Sequence, residues 1–506
     1  MRNGSKEALD AQRQYSDAPQ FDAEPGLVAS EAFVRGIRHI GYRSNVEAIA
    51  ELVDNSIQAY AQRVDLVFGF ADERQPTRPI QLAVVDDGHG IRPGMLRLAM
   101  MWGGTHREND RNGLGRFGYG LPCATVSMGR RFTIYSKVRG GKVHAVCLDL
   151  DLLDAGAYRN KASVLCMPPA RPAALPAFVS EAIARKHPYG WPSGTIVVID
   201  KLDRLQWVTA GGLRRNLIRQ FGVAYHKLLA ATAIHIDGKP VQPIDPLFLL
   251  QGCALSSLDE DRAQSMEPVT LRIGLEDGTA GEIVLRYAWL PPTFGAVDKS
   301  RDAIGLNANA RFPILKQYHG IVFSRNGRVV DVQSRTPWTT FINNDRYIRV
   351  EVEFSASLDE AFGVTTSKQQ VSVSQEMWEQ LQAAGLPKAI EHLRAKVRAA
   401  KAERQKATGT AAAPSSADAG RSQHDQGQPA PSRPTARGAR EAQSSAADAR
   451  LGGVDPGAAL DALLSRIARR RSAGNGAIAT EYDRLIRGWA RQLSRHLGNA
   501  AHTTRE

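Results

Sequence analysis

Fifty consecutive residues, 401–450, contain no Leu, Ile, Val, Met, Phe, Trp or Tyr. Such a stretch cannot bury enough apolar surface to offset the entropy lost on ordering, which predicts a disordered linker over 399–455. The folded body must therefore be built before it. After it, helical spacing returns through Leu460, Leu463, Leu464 and Ile467, then Tyr482, Leu485, Ile486, Trp489 and Leu493. This predicts C-terminal helices over 456–498, which could dock a protein partner or pack back on the body. Residues 1–26 are polar, contain Pro and Gly, and read as a flexible arm.

The remaining span, 27–398, is too long for one unit at roughly 100–200 residues per domain. With 43% hydrophobic and 23% charged residues the chain is ordinary for a soluble globular protein, so collagen-like and wholly disordered classes are excluded. Lys and Arg number 65 against 52 Asp and Glu, a net charge of +13. About half of that excess lies beyond residue 400, where 17 basic residues face 10 acidic ones. Clustered positive charge attracts polyanions, so duplex DNA is one expected partner; basic residues that merely solvate a tail are the other reading. Cys123, Cys147, Cys166 and Cys253 form no Cys-x-x-Cys pair, which fits neither a zinc module nor a disulfide framework. The N-terminus lacks the apolar stretch of a signal peptide, and no run approaches the ~20 apolar residues of a membrane span. A cytoplasmic protein without membrane contact is expected.

Within the body, 45–60 reads as a helix, with Val46, Ile49, Val53 and Ile57 three and four apart. Runs 64–68, 80–85, 132–138 and 195–199 read as strands and 213–229 as a helix, an α/β sandwich over 27–240. A second, α+β unit over 241–398 has strands at 269–273, 282–289, 320–324 and 348–354 and a helix from 375. Asn326-Gly327 and Asp277-Gly278 mark hairpin turns.

Three motifs in this body could carry chemistry. On the helix over 45–60, Glu47, Glu51, Asn55 and Gln58 share one polar stripe. Glu51 and Asn55 could serve as a general base for water and an oxygen ligand for Mg²⁺, or the stripe could be simply solvated. Next, the apolar run from Ile80 ends in Asp86-Asp87-Gly88-His89-Gly90, a strand-end carboxylate followed by two glycines. The carboxylate could accept from an exocyclic amine, and the glycines could admit a flat ligand close to backbone; an ordinary Asp-Gly turn is the alternative. Third, Gly113, Gly115, Gly118 and Gly120 fall within eight residues before a helix, a loop whose N–H groups could face phosphate. No Gly-Lys-Ser/Thr follows, so it is not a P-loop.

The order of these motifs, with Ser193-Gly194-Thr195 opening a later strand, resembles the ATP-binding superfamily of DNA gyrase, heat-shock chaperones, sensor histidine kinases and MutL (GHKL, the Bergerat fold). The resemblance spans about 30–205. It implies that Glu51 is the general base and Asn55 the Mg²⁺ ligand, and that Asp86, Gly88, Gly90 and Thr195 form the adenine side. Gly113, Gly115, Gly118 and Gly120 would then line the phosphates from a lid over 92–120. Gln58 departs from the pattern, since many relatives have Asp there.

Glu51 and the lack of a phosphoacceptor His outside His424-Asp425 in the linker argue against the sensor-kinase branch. Thr365-Thr366-Ser367-Lys368-Gln369-Gln370 resembles the transducer loop of the gyrase, MutL and microrchidia branches. By that likeness Lys368 would neutralise the γ-phosphate, and 241–398 would be a ribosomal-S5-like transducer domain. Phe323–Arg328 and Arg349–Phe354 are similar to the microrchidia transducer. The resemblance implies ATP and Mg²⁺ as cofactors and an ATP-dependent homodimer acting as a clamp on DNA. A chaperone-like scaffold with an ATP-gated switch and no DNA binding is the alternative. Trp102, Trp191 and Trp207 read as core or pocket-rim residues.

Overall fold

The computed structural model describes residues 30–410 apart from 41, 43, 73, 75, 105–117, 161–164, 188–189, 276–277, 302–305 and 365–369. The chain divides into units Met1–Ala413 and Pro414–Glu506, and every described residue belongs to the first. The expected arm, the expected C-terminal helices and most of the expected linker thus lie outside the described residues.

The first sheet is built from β1 (Arg63–Gly69), β2 (Gln81–Asp86), β3 (Gly129–Lys137), β4 (His144–Asp149), β5 (Arg171–Pro172), β6 (Gly194–Leu202), β7 (Ala233–Ile236) and β8 (Lys239–Pro240). Their order is β5-β4-β3-β6-β2-β1-β7-β8, antiparallel throughout except for the parallel β1–β7 pair. Its helices are α1 (Ser30–Ile40), α2 (Asn45–Gln58), α3 (Gly120–Met128), α4 (Ala177–Lys186) and α5 (Ala210–Ala224). Side chains alternate across a strand, so Leu82 and Val84 of β2 join the core containing Ile49, Val53, Val126 and Leu217. Ala83 and Val85 instead meet Val179 and Trp191 on the other face. Burial on both faces explains why β2 reads as an unbroken apolar run. Helix α2 starts where the Ser44 side chain accepts from the Glu47 N–H, a capping bond for an otherwise orphan donor.

The second sheet runs β10-β11-β14-β12-β13, from β10 (Val269–Gly274), β11 (Ala280–Trp289), β12 (Ile321–Arg325), β13 (Arg328–Gln333) and β14 (Ile348–Phe354), with the short β9 (Gln264–Ser265) beside β11. Helices α6 (Gln375–Ala383) and α7 (Leu386–Thr410) follow, and Leu381, Leu386, Ile390 and Leu393 pack into its core. Asn326 and Gly327, at φ +47° and +82°, form the two-residue turn between β12 and β13. Positive φ at both central positions suits an Asn-Gly pair.

Two expectations need correction. The linker expected from 399 does not hold over 399–410, where α7 runs on to Thr410. Its Lys, Ala, Glu, Arg and Gln residues there are strong helix formers that continue a helix without an apolar face. Strand β13 escapes the sequence reading, being short and carrying Arg328 and Asp331 among its valines. Among the described residues, no helix is long and apolar enough to cross a membrane. All four cysteines are free thiols.

Candidate active site

Helix α2 lays its apolar stripe on the first sheet, which turns Glu51 and Asn55 to the side where α3 begins. Glu51 is only 4% exposed, so the solvated-stripe reading fails at this position. What encloses it is specific. A Cβ placed on Gly120, at the start of α3, would fall 1.9 Å from Glu51 Oε1. Only glycine lets the α3 backbone pass so close to the carboxylate. The Tyr42 hydroxyl donates to the Gly120 carbonyl at 3.3 Å. Burial, then the Glu51 charge, push the Tyr42 phenol well above its usual range. Burial likewise pushes the Cys123 thiol up to about 11, with Glu51 a further contributor. Asn55 is half-buried, and its carboxamide makes no hydrogen bond among the described residues. Gln58, a turn on, has its Nε2 buried and likewise without one.

The other end of α2 meets the end of β2. Asp86 is 5% exposed; its Oδ1 accepts from Gly88 N and Thr195 N, both at 3.0 Å. Its Oδ2 accepts from the Ser56 hydroxyl at 3.1 Å. Burial outweighs these hydrogen bonds and pushes the carboxyl up to about 6. Two carboxylate oxygens offer about four acceptor positions, so three protein donors leave one for an outside N–H. Helix α2 therefore carries Glu51 and also holds Asp86: Ser56 lies five residues, about 7.5 Å of helical rise, beyond Glu51.

The glycines of the β2 turn are explained by protein as much as by a ligand. A Cβ on Gly88 would lie 2.6 Å from the Ala59 carbonyl oxygen, and one on Gly90, at φ +74°, 2.0 Å from that of Lys137. The turn is wedged between the end of α2 and strand β3. Gly118, at φ +67°, would place a Cβ 2.8 Å from Gly104. Gly113, Gly115 and Lys368 lie outside the described residues.

Three side chains at this site were missed. Ser56 holds Asp86 directly. Ser136 Oγ lies 3.0 Å from Thr195 Oγ1 and donates to the Gly194 carbonyl at 2.8 Å, fixing the start of β6. Trp191, read as core or rim, donates its indole N–H to the Asp86 carbonyl at 2.7 Å. Ser56 stands next to Asn55 in sequence and could have been found. Ser136 becomes a neighbour only through the β3–β6 pairing.

Among the described residues there is no cluster of three or more His, Cys, Asp and Glu that could cage a metal ion. A hard cation that arrives with phosphate and water ligands needs only one or two from protein. The unengaged Asn55 amide oxygen suits that requirement. Residues 42–168 match a family model described as histidine kinase-, DNA gyrase B-, and HSP90-like ATPase. The match takes in Glu51, Asn55, Asp86 and the glycine loop, and stops short of Thr195 and Lys368. No curated protein matches the chain.

Proposed function

We propose that residues 42–168, which match the model of histidine kinase-, DNA gyrase B-, and HSP90-like ATPases, form a GHKL-type module, and that the chain binds ATP with Mg²⁺ and hydrolyses it to ADP and phosphate. The observation that carries this reading is the shared helix. The middle of α2 presents a buried carboxylate under the α3 backbone, and its C-terminal turn supports the Asp86 carboxylate, which has an acceptor position to spare.

Asp86 takes the adenine amino group, with Thr195 and the turn glycines Gly88 and Gly90 holding the wall around it. The resemblance assigns Gly113, Gly115, Gly118 and Gly120 to the phosphates, whose charge would also benefit from the N-terminus of α3. Mg²⁺, held by Asn55 together with phosphate oxygens, would neutralise charge on the phosphates. Glu51 orients a water and accepts its proton as the water oxygen bonds to the γ-phosphorus and the bond to the β-phosphate oxygen breaks. Lys368 is assigned to the γ-phosphate by the resemblance of its loop. Phosphoryl transfer is served mainly by positioning and charge neutralisation, so turnover can be slow.

Gly120→Ala tests the geometry around the base. Its methyl group has no room beside Oε1, so Glu51 or the start of α3 must shift. Phosphate release is expected to fall at least tenfold, at about a tenfold change per 1.4 kcal/mol of barrier. The melting temperature should fall as well, because forcing a methyl group into a filled site costs about 1–3 kcal/mol.

For the whole chain we read an ATP-dependent homodimer that closes on duplex DNA, with the lid and the Lys368 loop reporting the bound nucleotide. The net charge of +13 supports a polyanionic partner. Size-exclusion chromatography with a non-hydrolysable ATP analogue should give a dimer, against a monomer without nucleotide. Duplex DNA affinity should fall steeply between about 50 and 200 mM salt. A chain that never binds DNA, or binds it independently of salt, is the ATP-gated scaffold instead.

A further inference from the structure

One turn on from Glu51 and next to Asn55 in sequence, Asp54 is fully buried. A guanidinium from the second sheet meets it: Arg328 Nε lies 2.9 Å from Asp54 Oδ1, and both side chains are at least nine-tenths buried. The Tyr225 hydroxyl, just past α5, donates to the same oxygen at 2.9 Å. The Arg328 guanidinium also lies over the Tyr225 ring, 5.6 Å from its centroid. Asp54 Oδ2 is buried without a hydrogen bond among the described residues, so Arg328 is the cation that compensates this carboxylate. Burial disfavours the charge on Arg328, but the Asp54 carboxylate and, more weakly, Glu51 hold its guanidinium charged, which places Arg328 within the field of the general base.

Arg328 is the first residue of β13, directly after the Asn326-Gly327 turn, so a tight hairpin fixes where its side chain emerges. A second contact clamps the same sheet. Lys227, three residues past α5, donates to Glu351 Oε1 at 2.7 Å and to Glu353 Oε2 at 2.9 Å on β14. Ser324 of β12 donates to Glu351 Oε1 at 2.7 Å, and Arg286 of β11 pairs with both glutamates. A Cβ on Gly327 would be 3.5 Å from Leu228 and 3.6 Å from Lys227, so the turn itself rests on the first layer.

We propose that Arg328 is a positioning residue for hydrolysis: by holding Asp54 it sets the rotation of α2, and with it Glu51, so that turnover requires the second sheet to be docked. This rests on the reading of Glu51 as the base. Helix α2 is one rigid element, and a buried, paired charge one turn from Glu51 admits one arrangement far better than others. The Lys227 contact holds the sheet in place, while the Arg328 contact is the one that reaches the catalytic helix.

The test compares wild type, Arg328→Met, Asp54→Asn/Arg328→Met and Glu51→Gln in the full chain. Phosphate release is followed against ATP concentration and pH, and nucleotide binding by a fluorescent ATP analogue. Arg328→Met should lower kcat at least tenfold and leave KM and nucleotide affinity within about threefold. Loss of a cation near Glu51 should also move the acidic limb of the kcat profile to higher pH. The double variant carries no uncompensated buried charge; it should fold even if Arg328→Met does not, and its kcat should stay low. Wild-type kcat in the double variant, or a loss confined to nucleotide affinity, overturns the proposal. If Glu51→Gln is inactive while the Arg328 variants turn over normally, only this inference fails. If Glu51→Gln hydrolyses like wild type, the assignment of the base fails instead.

Discussion

Glu51→Gln should bind ATP as tightly as the wild-type chain and hydrolyse it roughly 10²- to 10⁴-fold more slowly, the range that a positioned general base contributes. The substitution keeps the shape that fits beneath Gly120, so the 1.9 Å approach that forbids a methyl group there is unchanged. What it removes is the proton acceptor. The carboxamide can orient a water and cannot take its proton. Phosphate release under saturating ATP and Mg²⁺, alongside a binding isotherm, checks both halves of the prediction. Equal turnover would remove Glu51 from the chemistry. Equal loss of binding would mean that the carboxylate supports the pocket and does not serve as a base.

Asp86→Asn should lower ATP affinity by roughly 100-fold and leave the fold at least as stable. A hydrogen bond to a charged acceptor is worth about 1.5–3 kcal/mol, and the variant loses more than that bond. Gly88 N and Thr195 N both donate to Oδ1, so the new amide must keep its oxygen there. Its NH₂ then faces Ser56, which can accept, and the adenine amine, which can only donate. Stability moves the other way, and the sign follows from the carboxyl being raised to about 6 from 3.8. The folded state holds this proton more tightly than the unfolded state, so protonation stabilises. That contribution is full at low pH, is lost as pH rises from about 4 to about 6, and is absent at neutral pH. The ionised carboxylate then costs about 3 kcal/mol, which Asn avoids. Melting curves at pH 7.5 should show no loss in the variant. Since the ionised form is the acceptor, wild-type ATP affinity should also weaken by about tenfold per pH unit below about 6.

Much of this site can be read from the chain because its parts are local. Helix α2 follows from apolar residues three and four apart, and β2 from an apolar run that two buried faces demand. The Asp86-x-Gly-x-Gly turn is a glycine pattern with few backbone solutions. The sequence reading took its glycines as room for a ligand, whereas Gly88 and Gly90 also make room for the Ala59 and Lys137 carbonyls. Those neighbours come from tertiary packing and leave no local trace. Ser136 is hidden for the same reason, since it reaches Thr195 only through pairing of strands some sixty residues apart. Arg328 is a different case. Asn326-Gly327 announces a hairpin, and a hairpin requires a second strand, so β13 was implied by its own turn. That its first residue would cross to Asp54 was not, because the pairing depends on how two layers dock.

Adenine recognition by Asp86 can be measured without turnover. Calorimetric titration of the wild-type chain with ATP and then GTP, in the presence of Mg²⁺ at pH 7.5, compares an amino donor with a carbonyl acceptor at the same position of the purine. One ATP per chain should bind, with GTP at least tenfold weaker, because a carboxylate already holding three protein donors offers guanine O6 only repulsion. ATP and GTP binding with equal affinity, or neither binding at all, would contradict it.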